Sequence, residues 1–506
     1  MTASLSLGEV PVIIEKCTTS SRSAAGRGRA FVLAAGIALA LSFAALLALS
    51  TVPRQAQAVG RGIVDNRLEI VSGVEPAEIT ALAKEIGRQR LHAKWTRVLV
   101  HWPRLQPNAP GVSFADDADG DGYSDSYVSE LKAVVAALTA NGVRVILTPT
   151  EVPVWASDKA LWSSPPNGWG PGYSPSYAMD TGDPTVLQQF GRLGAFLASS
   201  FGDAGAYLEC WNEPNTGGTF YPQSRPGDRY FGLRVYTKML RAFHDGAKSA
   251  NSRAVVIAGA TAPRGADDAF STSPRTFATY LHDHGAARYF DAYSHHPYPW
   301  AAPEKLPPNS KQTVWLGNLG VLLDLFPNKD FYLTEFGYGT ASPTLLGLEV
   351  SKATQARYLR QAYSLVAERY PQVKALLWFM VQDLAPTADR LGAYMGLSTV
   401  HGVRKPGWFA FAGGNRLSLN APPATRRSAR FRVSGILASR AFGALAGKQI
   451  MLQSHRPGPA RWQTVFAGLT RSDGSYAFRI TQTSTRLYRV VWDGVCASAR
   501  ARVRTP

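Results

Sequence analysis

The chain of 506 residues is too long for one ordinary domain, and its 45% hydrophobic against 18% charged content excludes an intrinsically disordered protein. Its formal charge of +18 is unevenly spread, because Arg416 to Pro506 hold 16 Lys and Arg against 2 Asp and Glu. Three cysteines, Cys17, Cys210 and Cys496, are too few and too scattered for a disulfide framework or a zinc cluster.

Arg22, Arg27 and Arg29 precede an uncharged run from Ala30 to Pro53, and Ala56-Gln57-Ala58 follows it. A basic region, an apolar region and a small-x-small site in that order predict an export signal within residues 1–58. The run also has the length of a membrane span, so cleavage and retention as an anchor both stay open. Either one puts the rest of the chain outside the cytoplasm.

From residue 59 to 415 short β-branched runs alternate with helical patterns. The predicted strands begin with Ile63-Val64, together with Leu68 to Val71, and continue at Thr96 to Val100, Val143 to Leu147 and Ala206 to Leu208. They go on at Ala254 to Ile257, Phe290 to Tyr293, Phe331 to Leu333 and Ala375 to Phe379. Between them lie segments of helical period, such as Tyr127 to Ala140 and Gln355 to Glu368. Eight such units predict an α/β fold of the (β/α)₈ barrel type. No glycine-rich phosphate loop follows the first strand, which argues against a dinucleotide-binding sheet.

Residues 416–424, with Pro422-Pro423, read as a linker. Beyond them short alternating runs at Phe431 to Leu437, Gln449 to Gln453, Trp462 to Leu469, Tyr476 to Ile480 and Leu487 to Trp492 predict a small all-β sandwich over 425–506. Its arginines suit an anionic cell-wall polymer, or simply a solubilising surface. No nucleic-acid-binding motif accompanies them, and none is expected in an exported protein.

The strongest chemical signal is Glu209-Cys210-Trp211-Asn212-Glu213-Pro214-Asn215, where the fourth strand ends. Tyr332-Leu333-Thr334-Glu335-Phe336-Gly337 ends the seventh. Barrels keep reactive groups at the C-terminal ends of strands, so Glu213 and Glu335 are delivered to one rim. Two facing carboxyl groups are what glycosidic cleavage needs, one to protonate the leaving oxygen and the other to attack the anomeric carbon or activate water. Taken singly, either glutamate could equally be a turn or a helix-start residue.

With these motifs, residues 60–415 resemble the clan of retaining (β/α)₈ glycoside hydrolases that carry their glutamates on strands four and seven. The Trp-Asn-Glu-Pro-Asn run and Ser294-His295-His296-Pro297-Tyr298 are similar to the β-xylosidase and endoglycosidase members of family 39, and to the cellulase-like family 5. The resemblance implies Glu213 as acid/base and Glu335 as nucleophile, with retention through a covalent glycosyl-enzyme. It also implies that Asn212 holds the sugar 2-hydroxyl, that Arg97 supports the nucleophile, and that His296 and Tyr298 orient Glu335 and its sugar. Trp378 would be the platform under the reacting ring. Strand three ends in Thr148-Pro149-Thr150, without the histidine of cellulase-type members, which argues against cellulose.

The substrate partner is then a polysaccharide or oligosaccharide, and no cofactor is required. Trp155, Trp162, Trp169, Tyr173, Phe220, Tyr221 and Trp300 fall in predicted rim loops, where aromatic faces stack on sugars and suggest an extended cleft, although a deep exo-acting pocket fits too. A non-catalytic carbohydrate-binding or wall-attached protein is the competing reading. Separately, Asp117, Asp119, Asp121 and Asp125 stand at positions 1, 3, 5 and 9 of a calcium loop with Gly122 at 6, but Val128 occupies position 12. That motif predicts either a structural calcium ion or an Asp/Gly turn that caps a helix at Asp125 or Ser126.

Overall fold

A computed structural model describes residues 59–69, 75–161, 177–201, 206–341, 349–384 and 394–506. The predicted export segment, part of the first strand prediction at Ile70-Val71, and Trp162, Trp169 and Tyr173 lie outside these residues. Among the described residues no helix is long and apolar enough to cross a membrane.

Eight parallel strands close into a barrel in sequential order: β1 (Gly60–Val64), β2 (Trp95–His101), β3 (Arg144–Thr150), β4 (Tyr207–Glu209), β5 (Val255–Thr261), β6 (Ala292–His295), β7 (Asp330–Phe336) and β8 (Val373–Phe379). The ring closes between β1 and β8, with Gly62 opposite Leu377. A Cβ on Gly62 would stand 2.4 Å from Leu377 Cγ, so only glycine lets these strands pair there. Leu68, expected in the first strand, lies in a short 3₁₀ turn instead, because Asp65 accepts the Arg67 N–H and ends the strand.

The helices wrap the outside. Helix α1 spans Pro76–Ile86 and α2 is the short Trp102–Leu105. Next come α3 (Asp125–Ala140), α4 (Pro184–Ser200), α5 (Phe231–Ala250) and α6 (Pro274–Asp283). The chain then forms α7 (Gly320–Leu323), α8 (Lys352–Arg369) and α9 (Pro406–Ala412). Serines start α3 and α8, where Ser124 accepts the Tyr127 N–H and Ser351 the Thr354 N–H. The cap of α3 is thus one residue before the expected Asp125.

Alternation along each strand divides the apolar side chains into two layers. Ile146, Ile257, Ala375, Leu377 and Phe379 fill the barrel interior, whereas Val98, Leu147, Leu376 and Trp378 face the helices. This division decides which strand residues reach the mouth.

The C-terminal region is a two-sheet sandwich. One sheet joins β9 (Arg416–Leu417), β10 (Phe431–Ser439), β11 (Gly443–Ala444) and β14 (Ser475–Ile480); the other joins β12 (Gln449–His455), β13 (Gln463–Leu469), β15 (Arg486–Trp492), β16 (Cys496–Ala497) and β17 (Ala501–Val503). The expected linker is corrected here. Arg416 and Leu417 pair with Ala438 and Leu437, Asn420 bridges Ser434, and Ala424 bridges Arg504, so the segment is bound into the sandwich. Barrel and sandwich belong to one compact unit, with Phe409 of α9 against Trp492 at 4.9 Å.

Candidate active site

The loop after β4 is held in an unusual conformation. Trp211 and Glu213 have φ of 78° and 43°, a left-handed region that side chains with a Cβ seldom adopt. Several bonds impose it. The Glu213 N–H donates to Ala260 O at 3.0 Å, and Thr219 Oγ1 donates to Glu213 O at 2.6 Å. Buried Asn215 accepts the Ala262 N–H at 2.8 Å and donates to Thr272 O at 2.9 Å. The loop is therefore fixed before any ligand arrives.

Glu213 and Glu335 meet across the mouth. With His296 between them, each of the three offers an atom within 4.8 Å of the others'. Their partners differ. Glu335 Oε1 accepts from Arg97 Nη1 at 2.7 Å and Oε2 from the Tyr298 hydroxyl at 2.8 Å. Glu213 Oε1 lies 2.8 Å from His296 Nδ1, which is 3.8 Å from Glu335 Oε2. His296 thus contacts Glu213 more closely than Glu335, the residue it was expected to orient. Three such atoms could also bind a cation, but both Glu335 oxygens already accept hydrogen bonds from Arg97 and Tyr298.

Beneath the pair runs a buried polar chain. Arg97 Nε donates to Glu209 Oε2 at 2.5 Å, and its Nη2 to Asn212 Oδ1 at 2.8 Å, which leaves the Asn212 amide's donor end turned away from the arginine. Glu209 also accepts from the hydroxyls of Thr148 at 3.0 Å and Thr334 at 2.8 Å. Thr334 Oγ1 in turn lies 3.1 Å from His296 Nε2. Burial opposes the charge on Arg97, yet the Glu209 and Glu335 carboxylates outweigh it and hold the guanidinium protonated. Burial and the Glu335 charge push the Tyr298 hydroxyl far up, so it remains a donor. Neighbouring His295 is a core residue: burial pushes it down to about 3, and its ring nitrogens meet Thr261 Oγ1 and Val314 O at 2.8 and 3.0 Å.

Trp378 requires correction. It is 1% exposed, packs against Phe336 and Tyr338 in the outer layer, and donates Nε1–H to Met395 O. No face is left to stack on a sugar. One residue further, Phe379 points inside with Tyr298 in the inner cluster. A period of two separates the two positions.

Other residues escaped the sequence reading. Glu209 was read only as part of a motif, although an acid at the last residue of a barrel strand must face either apolar helices or a cation when it is buried. His101 and Glu151, at the ends of β2 and β3, pair at 3.1 Å, and His101 Nε2 is buried without a hydrogen-bond partner. Burial pushes the Glu69 carboxyl up to about 7, with His101 and Arg97 drawing it down and Glu335 raising it. Of the expected rim aromatics, Phe220 is wholly buried, Trp155 donates to Gln106 O beside Trp102, and Trp300 lines an open cleft.

At the predicted calcium loop, Asp117, Asp119 and Asp121 bring carboxylate oxygens within 4.8 Å of one another. Asp125 does not join them, since its Oδ2 accepts the Ala118 N–H at 2.8 Å from the first turn of α3. The loop lies between α2 and α3 in the chain.

The chain is thus a (β/α)₈ barrel with paired carboxylates at its C-terminal mouth, followed by a β-sandwich packed against α9. No protein-family model and no curated protein sequence matches it. Solved structures similar in fold include a family 39 glycoside hydrolase from Bacteroides cellulosilyticus WH2, with TM-score 0.44 and 15% identity over 87% of this chain and 81% of that one. A β-glucosidase from Pyrococcus furiosus gives TM-score 0.49 and 14% identity over 70% of this chain and 94% of its own. The exo-β-1,4-mannosidase Op5Man5 from Opitutaceae bacterium strain TAV5 gives 0.45 and 17% over 70% of this chain, which spans 58% of the mannosidase.

Proposed function

We propose that the chain is an exported retaining glycoside hydrolase acting on a polysaccharide or oligosaccharide, with Glu213 as acid/base and Glu335 as nucleophile. The observation that carries this reading is the approach of the two carboxyl groups to within 4.8 Å between oxygens. Retaining enzymes place their carboxyl groups about 5–5.5 Å apart, and inverting ones about 6.5–9.5 Å to admit a water.

The polarity of the buried chain supports the division of roles. Glu209, beside Arg97 and two threonine hydroxyls, only accepts. Thr334 donates its one hydroxyl hydrogen bond to Glu209, so its oxygen accepts the Nε2–H of His296. A neutral imidazole so oriented keeps a lone pair at Nδ1, facing Glu213 Oε1. A lone pair there is satisfied by a protonated carboxyl group, the form in which Glu213 is an acid. Glu335, between Arg97 and Tyr298, is held as the carboxylate.

In the first step Glu335 attacks the anomeric carbon as the glycosidic C–O bond breaks, and the Glu213 proton goes to the leaving oxygen. In the second, water gives a proton to Glu213, attacks the same carbon and releases Glu335. Asn212 presents its amide donor to the 2-hydroxyl, and the basic sandwich keeps the enzyme near an anionic wall polymer. A weak calcium ion at Asp117, Asp119 and Asp121 would be structural.

Hydrolysis of a panel of aryl glycosides, followed by NMR, tests the mechanism, and the first-formed sugar should retain the substrate's anomeric configuration. A 2-deoxy-2-fluoro glycoside of the active sugar should label Glu335. An inverted product overturns retention. Neither turnover nor labelling across the panel leaves the non-catalytic reading in its place.

A further inference from the structure

A cleft of about 540 Å³ opens beside Glu213 and Tyr298, and Glu335 is not among its walls. Since the acid protonates the departing oxygen, the space beyond Glu213 belongs to what departs. Phe270, 39% exposed, and half-buried Trp300 give this cleft apolar faces. The Arg264 guanidinium lies 4.9 Å over the Trp300 ring, and no ion pair holds it among the described residues. Apart from Glu213 and Tyr298, it is the one ionisable side chain in the wall.

We infer that this cleft binds the leaving group, and that Arg264 on Trp300 makes it select a flat apolar ring carrying a carboxylate. The inference rests on Glu213 being the acid. A guanidinium held over an indole still offers paired N–H groups that match a carboxylate's two oxygens. A sugar ring or an arene has the apolar face that Phe270 and Trp300 accept. A uronic acid on the leaving side is the natural counterpart, and the volume suits one or two rings.

The wall is preformed. Arg264 bridges Thr313 through the backbone, Gly265 N donates to Gln312 O at 3.2 Å and Val314 N to Pro263 O at 2.8 Å. A Cβ on Gly265 would come within 2.2 Å of Thr272, so the segment lies flush against its neighbour. Asn215 ties the same stretch, at Ala262 and Thr272, to the loop that bears Glu213. Acid and arginine are therefore held in one rigid body, and little ordering is needed on binding.

The test compares two aryl glycosides of one sugar, 4-carboxyphenyl and 4-carbamoylphenyl, which share shape and differ in charge. Wild type should favour the carboxylate by about tenfold in kcat/KM, a modest preference because Arg264 is solvent-exposed. In Arg264→Gln the ratio should fall to about one. A ratio that survives the substitution, or one near unity in wild type, overturns the inference. Titration of free 4-hydroxybenzoate and 4-hydroxybenzamide by NMR supplies a readout without turnover. Arg264-dependent binding of the benzoate with no hydrolysis of either glycoside sinks the glycosidase reading and keeps the anionic site. Hydrolysis with no dependence on Arg264 does the reverse.

Discussion

Arg97 and the arginines of the sandwich carry the same charge in opposite settings. Arg97 is 1% exposed and bound to Glu209 and Glu335, whereas Arg426, Arg427, Arg430 and Arg432 stand in solvent. Among the described residues none of the basic side chains from Arg416 onward is in an ion pair. In the barrel the chain pays desolvation to fix a charge beneath the paired carboxylates of the mouth, and Glu209 and Glu335 offset it. At those four sandwich positions the charges cost almost nothing and act as a field, which salt screens. The same residue type is therefore machinery in one region and surface in the other.

The severest way to break this contrast is to remove one charge at the mouth. Glu335→Gln keeps size and one acceptor oxygen for Arg97 but cannot form the glycosyl-enzyme, so kcat should fall ~10⁴-fold or more. The thermal midpoint should barely move, because Arg97 keeps Glu209. Wild-type turnover would end the assignment of Glu335.

Next in size is a direct exchange between the regions. Arg97→Met strands Glu209, which is 0% exposed, and should cost about 3–5 kcal/mol in urea unfolding. Arg479→Met, on an exposed position of β14, should cost less than about 0.5 kcal/mol. Equal losses would mean that burial of Arg97 has no energetic consequence.

A neutral change separates polarity from charge. Thr334→Val removes the acceptor for His296 Nε2, frees the other tautomer to donate to Glu213, and favours the ionised acid. kcat should fall about tenfold while KM changes little. Thr334→Ser should restore it. A kcat unmoved by valine would show that Thr334 sets nothing.

Much of the barrel was legible because its strands are continuous apolar runs between helical periods, and the two glutamates because strand ends point at the mouth. What stayed hidden depended on side-chain parity and loop closure. Trp378 and Phe379 are one residue apart, and only the register with β1 and β7 tells which faces inward. Glu209 is a strand residue whose partner, Arg97, is 112 positions away. Arg264 and Phe270 reach the cleft because residues 263–265 pair with 312–314, a contact no local pattern encodes. The linker was misread for a related reason, since prolines mark a chain without helix and say nothing of what it lies against.

On the sandwich side, replacing Arg426, Arg427, Arg430 and Arg432 with Ser should lower the salt needed to elute the protein from an immobilised polyuronate. Rates on small aryl glycosides should stay within about twofold, because a salt-screened surface field adds little to the direct bonds that Arg97 and Tyr298 make to Glu335. Unchanged elution would leave the basic surface without a polymer to hold.

The smallest effect belongs to the one part of the barrel that behaves like the sandwich. Asp117, Asp119 and Asp121 crowd three carboxylates at the surface; burial, then the charges of Asp119 and Asp117, push Asp121 up, and the Tyr123 N–H only partly offsets them. A divalent cation would relieve this repulsion, but Asp125 is turned away and Val128 stands where a bidentate carboxylate closes such a loop, so affinity belongs in the weak range near 10⁻³ M, in order of magnitude. Calcium at about tenfold that level should raise the thermal midpoint by about 1–2 °C, and magnesium by less. Asp119→Asn should remove the increment while raising the midpoint in chelator, since one repelling charge is gone. A calcium response that survives Asp119→Asn would place the ion elsewhere, and a flat response in wild type would make the motif a helix-starting turn.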